Sequence, residues 1–504
     1  MRNAQYKSAR ELFDSGRIVG IPEDDIERVK AYALYEDMYH NNPNTYKLVA
    51  RGSETNPIYI PTAKAIIEAT HRFLAVNMQM SLIGGDSDKE NARAFINQLF
   101  RRENFYGKFT TQKRFGLIRG DAVWHITADD TKPEGRRISL IEADPSHYFP
   151  ELDPADPERI ISITLANSIP SPVEEGKLIM KRQRYRRDES GAITTELGYF
   201  DIDGWDDRIN PATGSPYHDV IKPANAGLFP IITEKPLPPE VTAFPVYHIR
   251  NSRIPLNPFG VSEVQGLEII AAAINQTITD EELAIALESI GQYATDSGAP
   301  VDEDGEPTDW ILGPGRVVEV GAGKKFWRVD GVTSVQSLQD HMDWLRHRAL
   351  ESSGIPDVAI GKVDVQMAES GIALALQLAP MLAKNAEKEG EMLATYDHMF
   401  FDLINGWLPA YEGLRFEVDA VPVCDDAMPT DRKAVIDEVL ALLSSSPPLI
   451  TVPEAQRILS EKCGISFDLS TEAALLKQVS DAALALDPFG ARMNAEATDA
   501  AANN

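Results

Sequence analysis

Residues 261–290, "VSEVQGLEIIAAAINQTITDEELAIALESI", contain no proline and a single glycine, Gly266. Val264, Leu267, Ile270, Ile274, Ile278 and Ile285 recur at helical spacing, so the segment predicts one long helix. At about 1.5 Å per residue it makes a rod of about 45 Å, well beyond the roughly three turns of an average globular helix. Its opposite face carries Glu263, Glu268, Asp280, Glu281 and Glu288, and Ala271, Ala272 and Ala273 leave room for a close neighbour.

The segment after the rod narrows the architecture further. Residues 291–333 are rich in glycine and acidic turns, with short strands expected at 310–312, 317–320 and 326–329, which makes a small β module. Residues 334–352 then place Val335, Leu338, Met342, Leu345 and Ala349 on one helical stripe. The β module therefore sits between two helices like a tip between two arms. The second arm stops at "GIPDVAIGKVDVQMAESGIAL", residues 354–374, where Gly354 ends a helix and Pro356 cannot continue it. Loops beyond about 12–15 residues are usually functional or disordered, and Val363, Val365 and Met367 argue against disorder. Residues 372–408 read as another long helix, with a break or kink expected at Pro380.

The flanks give an α+β reading. Residues 26–80 and 86–106 are expected to be helical. From 115 to 250 strands and turns dominate: "DAVWHITAD" and "RRISLIEAD" straddle a polar turn, and "KLIMKRQRYRRDESGAITTELGYFDID" holds its own hairpin turn at Glu189 to Gly191. Beyond Met428 come three helical pieces. "PTDRKAVIDEVLALL" offers Thr430 or Asp431 as an N-cap, "TVPEAQRILSEK" has a capping-box pattern at Thr451 and Glu454, and "STEAALLKQVSDAALAL" ends before Pro488. The last dozen residues lack a core-forming pattern and are expected to be disordered.

Composition excludes several classes. With 504 residues, 43% hydrophobic and 8% aromatic, the chain can bury a core and has room for roughly three domains. Cys424 and Cys463 form no CxxC pair, which points away from zinc or a disulfide framework and towards a reducing compartment. No run of about 18 apolar residues occurs and the first residues lack a signal-peptide core, so neither export nor a membrane span is expected. The 77 acidic against 49 basic residues give a net charge of -28. That balance disfavours a tight grip on phosphates, yet suits a surface past which DNA slides.

Enzyme-like motifs fail on spacing. "VGAGKK" at 320–325 lacks the P-loop pattern, and Lys325 stands where a magnesium-binding hydroxyl belongs. "DEDGEPTD" lacks an acidic residue at the closing twelfth position, which is Gly313 counted from Asp302. His341 and His347 fall on different helix faces, and no HExxH is present. No catalytic residue, metal site or cofactor is expected, and the chain reads as a non-enzyme.

The order of parts resembles the portal proteins of tailed bacteriophages, in the long-tailed branch. It is most specific at "NPFGVSEVQGLEIIAAAINQTITD" and from "SSGIPDVAIG" through "ESGIAL", and it runs from about residue 25 to 490. The resemblance implies an elongated multi-domain subunit with a mixed α/β wing, a two-helix stem, a small β clip and a helical crown. The wing would take residues 1–255, the first stem helix 256–290, the clip 291–333 and the second stem helix 334–353. The tunnel loop would be 354–371, a long helix returning to the wing 372–424, and the crown 425–490, with 491–504 a tail. It further implies a dodecameric ring at one capsid vertex of the virion, assembled in the host cytoplasm. Double-stranded DNA would pass without sequence preference, with terminase, head-tail connector, major capsid and scaffolding proteins as partners. The competing reading is a minor head or scaffold-type interaction protein that forms no ring.

On this resemblance Lys362, Val363, Asp364, Val365, Gln366 and Met367 would face DNA in the tunnel loop, hinged at Gly354, Pro356 and Gly371. The charges of Lys362 and Asp364 offset one another, so contact there would be weak and sequence-blind. In the clip, Asp302, Asp304, Trp310, Lys324 and Lys325 are candidates for partner docking, although paired lysines also serve simply as a solvated edge that discourages strand addition. Glu268, Asp280, Glu281 and Glu288 would line the tunnel or remain solvated.

Overall fold

The computed structural model describes residues 23–50, 56–170, 178–188, 190–201, 232–255, 257–290, 292–301, 304–308, 310, 320–329, 336–362, 371–427, 432–445 and 449–463. They fall into two units, divided after Ala427.

The first unit opens with helices α1, Glu23–Tyr39, and α2, Thr62–Arg72. The helix expected to reach residue 80 stops short. Ala75 and Asn77 take positive φ, and Val76–Gly84 is strand β1. In "VNMQMSLIG" polar Asn77, Gln79 and Ser81 alternate with Met78, Met80 and Leu82, a period of two that suits a half-buried strand. Methionine's good helix propensity hides that pattern. Helices α3, Asp86–Glu103, and α4, Phe105–Arg119, come next, joined through Asn104 in the left-handed region.

Strands β2, Asp121–Ala128, and β3, Ile138–Ala143, pair antiparallel as the sequence indicates. A meander of β4 (Tyr148–Asp153), β5 (Asp156–Pro170), β6 (Leu178–Arg187), β7 (Ile193–Asp201) and β8 (Ile232–Pro236) forms a five-stranded antiparallel sheet. The hairpin between β6 and β7 turns where expected. Asp188 accepts from the Ser190 and Ala192 amides, and Gly191 holds φ +88°. Strand β9, Val246–Arg250, completes the sheet β3-β2-β9.

The long helix, α5, runs over Glu268–Ile290 and begins seven residues later than expected. Gly266 at φ +84° breaks the helical path, and the Ser262 hydroxyl donates to the carbonyl of Ile118. Strands β10, Gln292–Thr295, and β11, Phe326–Val329, form a two-stranded antiparallel sheet, the latter at its expected place. Helix α6, Gln336–Ser352, is the second arm. Helix α7, Gly371–Asp402, continues through Pro380, so the chain does not break there; the residue is exposed. The path then widens into a π-helix, Leu403–Glu412, which contains Pro409 and stops at Gly413. Strand β12, Val418–Asp425, returns to pair with β1.

The core gathers around β2, whose Trp124 is fully buried and donates to the Tyr396 hydroxyl at 2.7 Å. Phe105 stacks on Phe100 at 4.1 Å and touches Trp124, Tyr396 and Phe400. α7 is thereby fixed against the sheet by its aromatic residues. The second unit contains α8, Arg432–Ser444, and α9, Val452–Cys463, packed on each other. Of its sequence-based caps, Thr451 accepts from the Glu454 amide at 3.4 Å, while 428–431 and 464–504 lie outside the described residues. Antiparallel sheets beside separate helices make the fold α+β. Among the described residues no helix is long and apolar enough to cross a membrane.

Candidate functional site

The two arms, α5 and α6, are each other's principal partners. Ile274, Leu345 and Ala349 form their buried seam, with Ile60, Ile270 and Ala273 packed around it. Gln339 Nε2 donates to Glu281 Oε1 at 2.8 Å across the pair. An extended stretch of chain is strapped along α5. The amides of Val49, Ile58 and Ile60 donate to Gln276, Thr279 and Asn275 at 2.7, 3.0 and 2.8 Å. Polar groups on α5 thus satisfy backbone donors that would otherwise lie against an apolar helix.

At the base of the arms lies a buried charge cluster. Glu263, just ahead of α5, pairs with Lys384 at 2.8 Å and with Lys388, both on α7, and accepts from Asn251 at 2.7 Å. Lys384 also donates to the carbonyl of Ser353, just past α6, at 2.9 Å. Burial alone would raise the Glu263 pKa; the two ammonium groups outweigh it and hold the carboxyl below its ordinary value. Lys388 is pushed down to about 8, first by burial and against the pull of Glu263. Lys384 and Lys388 stand four residues apart and share a helix face, a legible signal, but their partner more than a hundred positions away is not. Glu263, expected on the acidic face opposite the apolar stripe, is buried.

The loop leaves from this base. Gly354, at φ +68°, caps α6: its amide donates to Glu351 and that of Ile355 to Leu350, at 3.0 and 2.9 Å, the double bond of a Schellman cap. Ile355 and Ala359 are buried anchors. Pro356 opens a 3-10 turn, Asp357–Ile360, that closes at Gly361. Lys362 is exposed. Val363, Asp364, Val365, Gln366 and Met367 lie outside the described residues, and Gly371 is the first residue of α7.

At the far end of the arms, Tyr293 stacks on Phe326 at 5.2 Å, and Trp310 lies 6.0 Å from the same ring. The Lys325 amide donates to Asp296 at 2.5 Å and its carbonyl accepts from Thr295 at 2.9 Å. The side chains of Lys324 and Lys325 are exposed, as is Asp304; Asp302 lies outside the described residues. Of the acidic candidates on α5, Glu268 and Asp280 are half-exposed, and Asp280 accepts from Gln276 at 2.9 Å. Glu281 is buried and turned towards α6, so in one subunit it does not face solvent. Glu288 belongs to α5, but its side chain lies outside the described residues.

Sequence reasoning missed one further feature, the exposed apolar surface of the arms and tip. Ile269 is 84% exposed, and Ile285, Tyr293, Trp327, Val329 and Trp344 are exposed as well. Ile269 and Trp344 fall off the apolar stripes that the spacing picks out, whereas Ile285 lies on the stripe and is exposed all the same.

No family model matches the sequence, and no curated protein matches it. Among solved structures, the chain is similar to one described as "Neck of empty GTA particle computed with C6 symmetry". The TM-score is 0.45 and the identity 13%, over 88% of this chain and 95% of the other. It is also similar to "Neck of native GTA particle computed with C12 symmetry", with a TM-score of 0.40 and 12% identity, over 81% and 96% of the two chains. At these scores and identities the likeness assigns no role to this chain.

Proposed function

We propose that this chain is a portal-type subunit, which forms a ring of identical copies at one vertex of a virus-like particle and serves as a passage for double-stranded DNA. Terminase and head-tail connector proteins would dock on that ring, and major capsid and scaffolding proteins would surround it. The chain would perform no chemistry of its own.

The observation that carries this reading is the pair of arms: two antiparallel helices joined by a two-stranded tip at one end and opening into an anchored loop at the other, with apolar side chains on their outer faces as well as on the seam. Ile269 and Trp344 stand exposed on these otherwise polar outer faces, and a neighbouring copy would bury them. An isolated two-stranded sheet is marginal in water, and side-by-side copies would support the tip too. The net charge of -28 suits a wall that DNA passes without adhering. The order of elements along the chain supports the same assignment.

Light scattering and negative-stain imaging of the purified chain test it. The expected result is a toroid with a central hole, many times the mass of one chain. A monomer under every assembly condition tried rejects the ring and leaves the minor head or scaffold-type role.

A further inference from the structure

Trp344 on α6 is 52% exposed, although it is the largest side chain on that helix. Its ring stacks on His341, with centroids 5.8 Å apart and planes 14° from parallel, and the Arg348 guanidinium lies 5.6 Å from its centroid. Positions 341, 344 and 348 share one flank of α6, turned away from Leu345 and Ala349, which face α5. A rigid aromatic side chain held between a guanidinium and an imidazole is a preformed anchor of the kind that dominates protein interfaces. On α5, beside the strapped segment, Ile269 is nearly fully exposed and Ala272 half-exposed, and the carboxylates of Glu268 and Asp280 stand on either side of them along the helix.

We propose that Trp344 of one copy docks on α5 of the next, beside Ala272, with Arg348, which pairs with Glu351 of its own helix at 2.6 Å, reaching also to Glu268, and His341 to Asp280, which already accepts from Gln276. This rests on the ring reading above and names the surfaces that build it. Rotation about a ring axis keeps every atom at its own height, so for arms running along the axis, residues at equal heights meet. The Gln339 to Glu281 hydrogen bond sets the level of one arm against the other. At about 1.5 Å per residue, Trp344 then stands level with Gln276, within about 6 Å of Ala272. His341 stands level with Thr279, one residue from Asp280. Arg348 stands level with Ala272, one turn from Glu268. The bulky side chain and the small residue it meets lie on different helices, so the contact is head-to-tail rather than self-complementary, and such contacts close into rings.

Cysteine pairing in the assembled full chain tests the contact. The variant W344C/A272C is made in a C424S/C463S background and oxidised. The expected result is a ladder of covalent oligomers on a denaturing gel, absent from the variants carrying W344C or A272C alone. A full-sized particle that yields no ladder overturns the contact while leaving the ring standing; a parent chain that never assembles overturns both. Should the double-cysteine chain fail to fold, W344E, a change at an exposed position that a monomer tolerates, decides the matter. The expected outcome is a monomer of unchanged helix content, and a full-sized particle overturns the proposal.

Discussion

Lys384 Nζ sits 2.8 Å from Glu263 Oε2, and the same ammonium group reaches the Ser353 carbonyl at 2.9 Å. One side chain on α7 thus ties together the point where the chain runs into the first arm and the point where it leaves the second. The tunnel-loop candidate starts at the next residue, Gly354, where an added Cβ would lie 3.7 Å from Lys384 Cδ. The base of the arms is therefore set by charge and hydrogen bonds, whereas their seam is set by Ile274, Leu345 and Ala349.

Removing the carboxylate from this cluster leaves Lys388 buried beside Lys384 with no counter-charge. E263A is expected to cost about 3–5 kcal/mol, the usual range for breaking a buried pair from one side. K384A is expected to cost clearly less, because Lys384 is 38% exposed at its side chain and Lys388 still neutralises Glu263. Urea denaturation of the two variants checks the order; equal losses would show that Lys384 carries the cluster.

Acid should weaken the fold before most carboxylates titrate. Burial, with Lys181 adding to it, pushes His125 from 6.5 down to about 3, and burial, with Lys113 and Arg114, pushes His71 down to about 4. Between those values and 6.5 the unfolded chain binds protons that the folded chain refuses, so stability is full above pH 6.5 and falls as the pH drops below it. Melting temperature measured from pH 7.5 to 4.5 is expected to decline from about pH 6.5. H125Q, which keeps a polar group near Tyr185, is expected to flatten that decline. A melting temperature constant to pH 5 contradicts it.

How far this architecture can be read from the residues depends on the range of the contacts involved. The arms, β11, the β6–β7 turn and the pairing of β2 with β3 all arise from local periodicity and turn chemistry, and all are present. β1 escapes a local reading because its pairing partner, β12, is more than 300 residues away and nothing nearby announces it. Pro380 misleads in the opposite sense: a lost backbone donor on an exposed side does not end a helix that its neighbours hold in place. At the candidate site, the capping glycine Gly354 is legible because its role is local. The Glu263 cluster is not, since an acidic residue before a helix looks the same in sequence whether solvated or buried.

Two isoleucines on α5 separate the subunit from its assembly. Ile274 is fully buried in the seam, while Ile269, just over one turn away, is 84% exposed. I274D places an unpaired charge among apolar groups and is expected to cost several kcal/mol, about 3 or more, visible as a lower denaturation midpoint. I269D should leave that midpoint within about 0.5 kcal/mol of the parent, as surface changes usually do, yet reduce particle formation. Particles formed by I269D as readily as by the parent would remove Ile269 from the contact between copies.

The loop can be tested apart from the scaffold that holds it. Ile355 and Ala359 anchor its first turn and Gly354 caps the arm before it, so deletion of residues 362–367 removes none of the buried groups that fix its start. Loop length itself changes closure entropy only slowly. The deleted chain is expected to fold and form particles of normal size, while the DNA packaged or retained per particle falls. Loss of folding would mean that the segment is structural, and normal packaging would mean that DNA does not meet it.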